Sequence, residues 1–347
     1  MTYTAEQKQE VLEYFSIHGY TETAKKYRAT IYPETIRRWT KPELQIYYKN
    51  KHRENYLTRK YNHIAQDKLA HIQLIPTKEE LERDLRVLIR TVPTYQAPVH
   101  VNNIVLKYQP HFFARQYKLW ENNDIRLQII KNREKHLNKP VQQMSTRELL
   151  RGFGLAGICT SYSFFSPFWF SKFIEDFNPQ AVYDPCGGWG HRLLGAYKNN
   201  ITYIYNDFWE KTYTGVQSIG QFLKYKNVTY YNEDCSRFTP PEFYDTVFTC
   251  PPYYNTEIYN NKRYNNIDDY KLWWSKVIEH SLKPSVKYFA FVIGKKYKDM
   301  LISVTKNYRL KLFKEIGIGT LSQKNNFLTN TPATGYREYL IVFTHES

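Results

Sequence analysis

No stretch of the 347 residues approaches the roughly 18 consecutive apolar residues that a membrane helix needs. No membrane partner is therefore expected. The opening run, MTYTAEQKQE, is polar and lacks the apolar centre of a secretory leader. The expected location is cytoplasmic, in the host cytoplasm if the chain is viral. Cysteine is scarce. Cys159, Cys186, Cys235 and Cys250 form no C-x-x-C pair and have no accompanying histidine cluster. That excludes a disulfide framework and a structural zinc site, and no metal is expected. At least three of the four are expected as reduced thiols in or near a core. Acidic residues are in deficit: 33 Asp and Glu face 49 Lys and Arg, a net charge of +16. The surplus is spread out, with 26 basic against 16 acidic residues in 1–150 and 23 against 17 in the remainder. A polyanionic partner along the whole molecule is consistent with this, although charge alone fits RNA, DNA and an anionic surface equally. Internal repeats and low-complexity linkers are also absent.

What is present is ordinary globular material, 42% hydrophobic and 24% charged. It is long enough for two or three domains. The 32 tyrosines fit an A·T-rich genome, phage or bacterial. Three segments are expected: 1–45, 46–145 and 146–347.

The first segment reads as three short helices. Thr4 caps a helix carrying Val11, Leu12 and Phe15, which should stop at Gly19. A second helix is expected over about 21–27. A third starts near Pro33 and turns Ile36 and Trp39 inward, with Arg37 and Arg38 outside. The run Gly19-Tyr-Thr-Glu-Thr-Ala-Lys-Lys-Tyr27 and the short helix ending in Trp39 resemble the helix-turn-helix of transposase-like and phage proteins. The resemblance implies DNA binding, with the third helix in the major groove and Arg37 and Arg38 near phosphates or guanine edges. A plain packing unit with solvated arginines is the alternative.

The second segment opens a helix with a capping box, Thr77-Lys-Glu-Glu80, ahead of Leu81, Leu85 and Leu88. Another helix is expected from about Phe112 to Leu137. Its interleaved Lys and Arg read as a solvated face, with target recognition as the alternative.

The third segment carries the chemistry. Ala181-Val-Tyr-Asp-Pro-Cys-Gly-Gly-Trp-Gly190 joins a strand to a glycine turn, and a helix begins at His191. This is the nucleotide-binding corner of a doubly wound sheet, where a ligand approaches bare backbone. The next strand ends in Asn206-Asp207, an acid placed to accept ribose hydroxyl protons. Another leads to Glu233-Asp234. A fourth ends in Cys250-Pro251-Pro252-Tyr253, where two prolines fix a rigid exit and an aromatic ring follows for stacking on a base.

Residues 181–190 together with 245–253 resemble the first and fourth motifs, D-P-F-x-G-S-G and [DNS]-P-P-[YF], of the S-adenosylmethionine-dependent amino-methyltransferases of DNA, which act on adenine N6 or cytosine N4. The resemblance covers about 146–347. It implies an α/β fold: a Rossmann-like class I methyltransferase sheet of seven strands with a closing hairpin, preceded by a helical N-terminal region. It implies S-adenosylmethionine as cofactor, with Asp184, Pro185, Gly188 and Gly190 at its methionine end, Asp207 on its ribose, and Asp234 and Phe208 on its adenine. Pro251 would offer its carbonyl to the target amine, beside Pro252, and Tyr253 would stack on a flipped base. Double-stranded DNA is the partner it implies, and a homodimer is left open.

Cys250 departs from the motif, since a thiol accepts hydrogen bonds poorly where the family has Asp, Asn or Ser. The Pro251 carbonyl does most of the work, or the enzyme is slow or dead, or Cys250 is a nucleophile toward a pyrimidine ring. Ser163, Phe164 and Ser166 suggest a further cofactor-binding run before the donor strand. His191 and His280 read as structural. The alternatives to a DNA amino-methyltransferase are an inactive DNA-binding regulator that kept the fold and an RNA methyltransferase.

Overall fold

The structure is a computed structural model that describes residues 4–27, 31, 35–36, 39, 72, 74–96, 100–159, 164–254, 264, 266–319 and 338–345. The chain divides into two compact units, Met1–Gln73 and Leu74–Ser347.

In the first unit Thr4 caps α1 (Ala5–Tyr27) as expected: Thr4 N–H donates to Gln7 Oε1 at 2.8 Å and Gln7 N–H to Thr4 Oγ1 at 3.1 Å. Helical backbone continues through Gly19 instead of stopping there. The rod is nonetheless sharply bent. Seventeen residues of straight helix would hold Glu10 and Tyr27 about 25 Å apart. In fact the Tyr27 hydroxyl donates to Glu10 Oε1 at 2.8 Å, and the Tyr14 and Tyr27 rings lie 5.8 Å apart. The two arms thus fold onto each other, with the bend between residues 14 and 26. Burial of Val11, Tyr27, Ile31 and Ile36 in one cluster accounts for the bend. Arg37 and Arg38 lie outside the described residues.

In the second unit, seven strands form one sheet: β1 (Ala181–Asp184), β2 (Thr202–Asn206), β3 (Val228–Tyr231), β4 (Thr246–Thr249), β5 (Tyr288–Gly294), β6 (Leu310–Ile318) and β7 (Glu338–His345). Their order is β3-β2-β1-β4-β5-β7-β6. The first five are parallel, and β7 runs antiparallel between β5 and β6. The central strands β1, β2, β4 and β5 are buried on both faces, because apolar residues occupy both phases of the strand period, whereas edge strands β3 and β6 are mostly half-buried or exposed. On β5, Phe289, Phe291 and Ile293 enter one core while Ala290 and Val292 enter the other. Pro167–Phe177 covers one face with Phe168, Phe170 and Phe173, and Ile267–Ser281 covers the other with Tyr270, Trp274 and Val277. Five parallel strands closed by an antiparallel pair make this the Rossmann-like class I methyltransferase sheet implied by the motifs.

The helices before the sheet do not stand apart from it. Leu81 and Leu88 of Lys78–Arg90 and Ile104 and Val105 of Asn103–Tyr108 share a core with Phe170, Leu193 and Tyr203. The capping box at Thr77 and Glu80 is present. The long helix expected over 112–137 is interrupted: Ala114–Trp120 ends, and Asn122 restarts the chain by accepting from the Asp124 and Ile125 amides at 3.0 and 3.1 Å. A side chain that caps in this way competes with helix continuation. None of the helices among the described residues is long and apolar enough to cross a membrane.

Candidate active site

The turn between β1 and helix His191–Asn199 forms one wall of a cavity of about 370 Å³. Gly188 and Gly190 adopt positive φ, +63° and +102°, which favours glycine. A Cβ on Gly188 would meet nothing closer than 3.7 Å, so the space over its backbone is open. Gly190 does a different job. A Cβ there would lie 2.8 Å from Ile219 and 3.3 Å from Val216, so the glycine lets two helices approach, and it does not line the cavity.

Asp184 also stays out of the cavity, contrary to the placement expected at the methionine end. Its fully buried carboxylate accepts from Arg192 Nε at 2.5 Å and from the Tyr203 hydroxyl at 2.6 Å. Arg192 also donates to the Cys186 carbonyl and itself lines the cavity. Burial opposes its charge, but Asp184 overrides it and holds the guanidinium firmly protonated. The ion pair therefore pins the turn, while Pro185, Cys186, Gly187 and Gly188 present it to the ligand space.

The ends of β2 and β3 supply the next wall. Fully buried Asn206 braces three strand ends at once. It donates to the carbonyls of Pro185 and Glu233 at 3.1 and 3.0 Å and accepts from the Glu233 amide at 2.9 Å. Asp207 then projects into the cavity, one oxygen held by the Gly188 amide and the other by the Trp209 amide, both at 2.9 Å. Burial raises its carboxyl to about 6, against the lowering effect of those two amides. Asp234 lines the cavity with Oδ1 held by Ser236, and Phe208 lines it with a 40% exposed ring.

The loop after β4 closes the opposite side. Thr249 Oγ1 accepts from the Cys186 amide at 3.2 Å and so ties this loop to the glycine turn across the adjacent strands. Cys250, Pro252 and Tyr253 line the cavity. Pro251 is buried behind them, so its side chain is not part of the wall. The Pro252 carbonyl accepts from the Tyr270 hydroxyl at 2.8 Å, and the Tyr253 hydroxyl donates to Glu338 Oε1 at 3.0 Å.

Several wall residues were not legible in the sequence. Arg192, Trp189, Trp209, Thr212, Tyr264, Trp273 and Glu338 line the same space. Three of the four cysteines do as well, and Cys186 and Cys235 bring their sulfurs within 3.7 Å. Segment 109–113 packs beside the glycine turn. Gln109 donates to the carbonyls of Trp189 and Thr212, and the Phe112 ring lies 4.2 Å from that of Trp189. The aromatic run His111-Phe112-Phe113 was the available signal. Phe164 lines the cavity, Ser166 is buried outside it, and Ser163 lies outside the described residues. His191 lies on the wall, but burial lowers it to about 3, so it is a neutral ring hydrogen-bonded to Asn102 at 3.2 Å. His280 pairs with Thr239 away from the cavity. Among the described residues no group of His, Cys, Asp and Glu has the geometry of a metal site.

The cavity volume falls within the usual range for small-molecule sites, roughly 300–1,000 Å³. The bare backbone at Gly188, the carboxylates Asp207 and Asp234 and the flat Phe208 ring are suited to a nucleoside carrying an extended polar chain. The residues present thus fit S-adenosylmethionine.

No protein-family model and no curated protein matches the chain. Among solved structures, a protein described as a class I S-adenosylmethionine-dependent methyltransferase from Listeria monocytogenes is 13% identical, over 78% of this chain and 89% of that one, with a TM-score of 0.42. A magnesium protoporphyrin IX methyltransferase from Synechocystis, solved with bound S-adenosylmethionine, is 12% identical over 62% and 90%, with a TM-score of 0.39. An S-adenosylmethionine-dependent methyltransferase from Clostridium acetobutylicum is 13% identical over 51% and 91%, with a TM-score of 0.38. Similarity this distant adds nothing to what the strand order itself establishes.

Proposed function

We propose that the chain binds S-adenosylmethionine and transfers its methyl group to an exocyclic amine, adenine N6 or cytosine N4, of a DNA base flipped out of its helix. One observation carries the reading: the glycine turn after β1 and the double-proline loop after β4 share a single cavity, joined by the Cys186–Thr249 hydrogen bond.

When bound, the cofactor supplies an electrophilic methyl group on a sulfonium sulfur. The chain's own residues supply position. Asp207, ionised above about pH 6, accepts from the ribose hydroxyls, while Asp234 and Phe208 take the adenine end. Pro185 and Gly188 hold the methionine end open, and Asp184 acts behind them through Arg192. Tyr253 stacks on the target base, and the backbone of Cys250, Pro251 and Pro252 keeps the loop from yielding.

A nucleic-acid substrate is supported by the net charge of +16 and by a cluster of cations whose mutual repulsion Glu148 and Asp84 only partly offset. Arg133, Arg147 and Arg151 lie close enough that burial and mutual repulsion lower the first two. Glu148 beside them is held by Lys139 at 2.8 Å, and none of the three arginines makes an ion pair among the described residues. Arg133 is buried in the fold, so half-buried Arg147 and exposed Arg151 are the members within reach of phosphate oxygens. Arg37 and Arg38 are proposed as further DNA contacts.

The test is to incubate the protein with labelled cofactor and mixed-sequence DNA or RNA and to identify the modified nucleoside by mass spectrometry. N6-methyladenine or N4-methylcytosine in DNA is the expected product. Preferential labelling of RNA would change the substrate. Cofactor binding without transfer to either would favour an inactive DNA-binding regulator.

A further inference from the structure

The double-proline loop leaves one chemical need unmet. As the amine nitrogen bonds to the methyl carbon, the carbon–sulfur bond breaks and its electron pair goes to sulfur. The nitrogen becomes cationic and must release a proton. The Cys250 thiol accepts hydrogen bonds poorly, and the Pro251 carbonyl can accept one but is too weak a base to take up the proton, so a proton acceptor is needed near the loop.

Three carboxylates line the cavity among the described residues: Asp207, Asp234 and Glu338. Asp207 and Asp234 stand on the donor side, past the ends of β2 and β3, where the function proposed above assigns them to the cofactor. Glu338 differs. It opens β7 opposite Gly294, at the same edge of the sheet as the Cys250 loop. The Tyr253 hydroxyl at 3.0 Å is the one hydrogen bond its carboxylate makes among the described residues. It is on the acceptor side of the cavity, tied to the ring proposed to stack on the base.

We propose that Glu338 takes the place of the missing motif acceptor: it holds the target amine through one N–H and receives the proton released when the N–C bond forms, later passing it to water. This deepens the function proposed above and rests on it. Burial keeps the Glu338 carboxyl above the ordinary carboxylate range despite the Tyr253 hydrogen bond, which suits a proton acceptor. The same hydrogen bond fixes the tilt of the Tyr253 ring, so stacking and proton acceptance are set by one contact.

The experiment uses the full chain on duplex DNA carrying the site that the wild type methylates. E338Q, which keeps the shape and the Tyr253 hydrogen bond, should lower kcat by about 10²-fold or more with cofactor affinity unchanged. Cys250→Asp restores an acceptor in the motif position and should recover activity in E338Q far more than it raises the wild type. Should E338Q fold poorly, E338D keeps the carboxylate and should lose less activity. A second measurement needs no cofactor. A duplex whose target base lacks its exocyclic amine should bind the wild type more weakly than the normal duplex, while E338Q binds both alike. Wild-type kcat in E338Q, equal losses in E338Q and E338D, or undiminished discrimination between the duplexes would overturn the role of Glu338 alone. Failure of the wild type to methylate any nucleic-acid amine would remove both readings.

Discussion

The two sides of the cavity are built on opposite principles. On the donor side, the ends of β1, β2 and β3 are locked by buried polar bonds: Asp184 with Arg192 and Tyr203, Asn206 across three strand ends, Asp207 between two amides. On the acceptor side, rigidity comes from prolines and stacked rings, with Tyr253–Glu338 the polar contact facing the ligand. A cofactor that is always the same rewards a fully satisfied hydrogen-bond frame. A target that must enter and leave rewards a wall that offers flat surface and few committed polar groups. Damage on the donor side should therefore unfold or empty the site, whereas damage on the acceptor side should slow the chemistry.

The largest effect should come from breaking the frame. Arg192→Met leaves the Asp184 carboxylate buried with only the Tyr203 hydroxyl. Removing one member of a buried pair costs about 3–5 kcal/mol, so the variant should show a lowered midpoint in chemical denaturation and no measurable cofactor binding. An Arg192→Met protein of wild-type stability would mean that the pair does not hold the turn.

Tyr253→Ala is the matching cut on the other side. Loss of one base–aromatic stack is worth about 1–3 kcal/mol. Turnover on DNA should fall by about 10- to 100-fold. Cofactor affinity, read by calorimetry, should stay at the wild-type value. Parallel loss of cofactor affinity would erase the distinction between the two sides.

The donor side also has a pH signature. Burial raises Asp207 to about 6, so its carboxylate is ionised above that value and protonated below it. Only the ionised form accepts from two ribose hydroxyls. Cofactor affinity should be flat above about pH 7 and fall toward about tenfold per unit below pH 6. Asp207→Asn should bind weakly at every pH. A wild-type profile flat down to about pH 5 would take the ribose contact away from Asp207.

The sequence made legible those parts of the site that sit in contiguous runs. Asp184 to Gly190 and Cys250 to Tyr253 each carry their chemistry within ten residues, and the strands they terminate read from their apolar cores. What it hid depends on distance. Glu338 reaches the cavity only because β7 inserts antiparallel beside β5, and no local pattern reports which face of a final strand meets a loop 85 residues earlier. Arg192 read as one more helix residue, since its partner Asp184 was already assigned to the ligand. The pairing that withdraws Asp184 from the cavity is a tertiary fact. The bend in α1 is similar: Gly19 signalled a change of direction, but whether the backbone breaks or bends depends on what Tyr27 packs against.

The smallest effect should come from residues of the first unit. If Arg37 and Arg38 engage phosphates, each contributes a sequence-independent term that salt screens. Replacing both by Ala should weaken duplex affinity only several-fold at moderate salt. It should also flatten the plot of log affinity against log salt by about 1 for each phosphate no longer neutralised. At saturating DNA the turnover should match the wild type, because neither residue lies within the unit that forms the pocket. That pattern separates them from Tyr253→Ala, which lowers turnover even when DNA saturates. An unchanged salt slope with weakened binding would instead mean that the arginines support the fold of the first unit, and phosphate binding would then fall to Arg147 and Arg151.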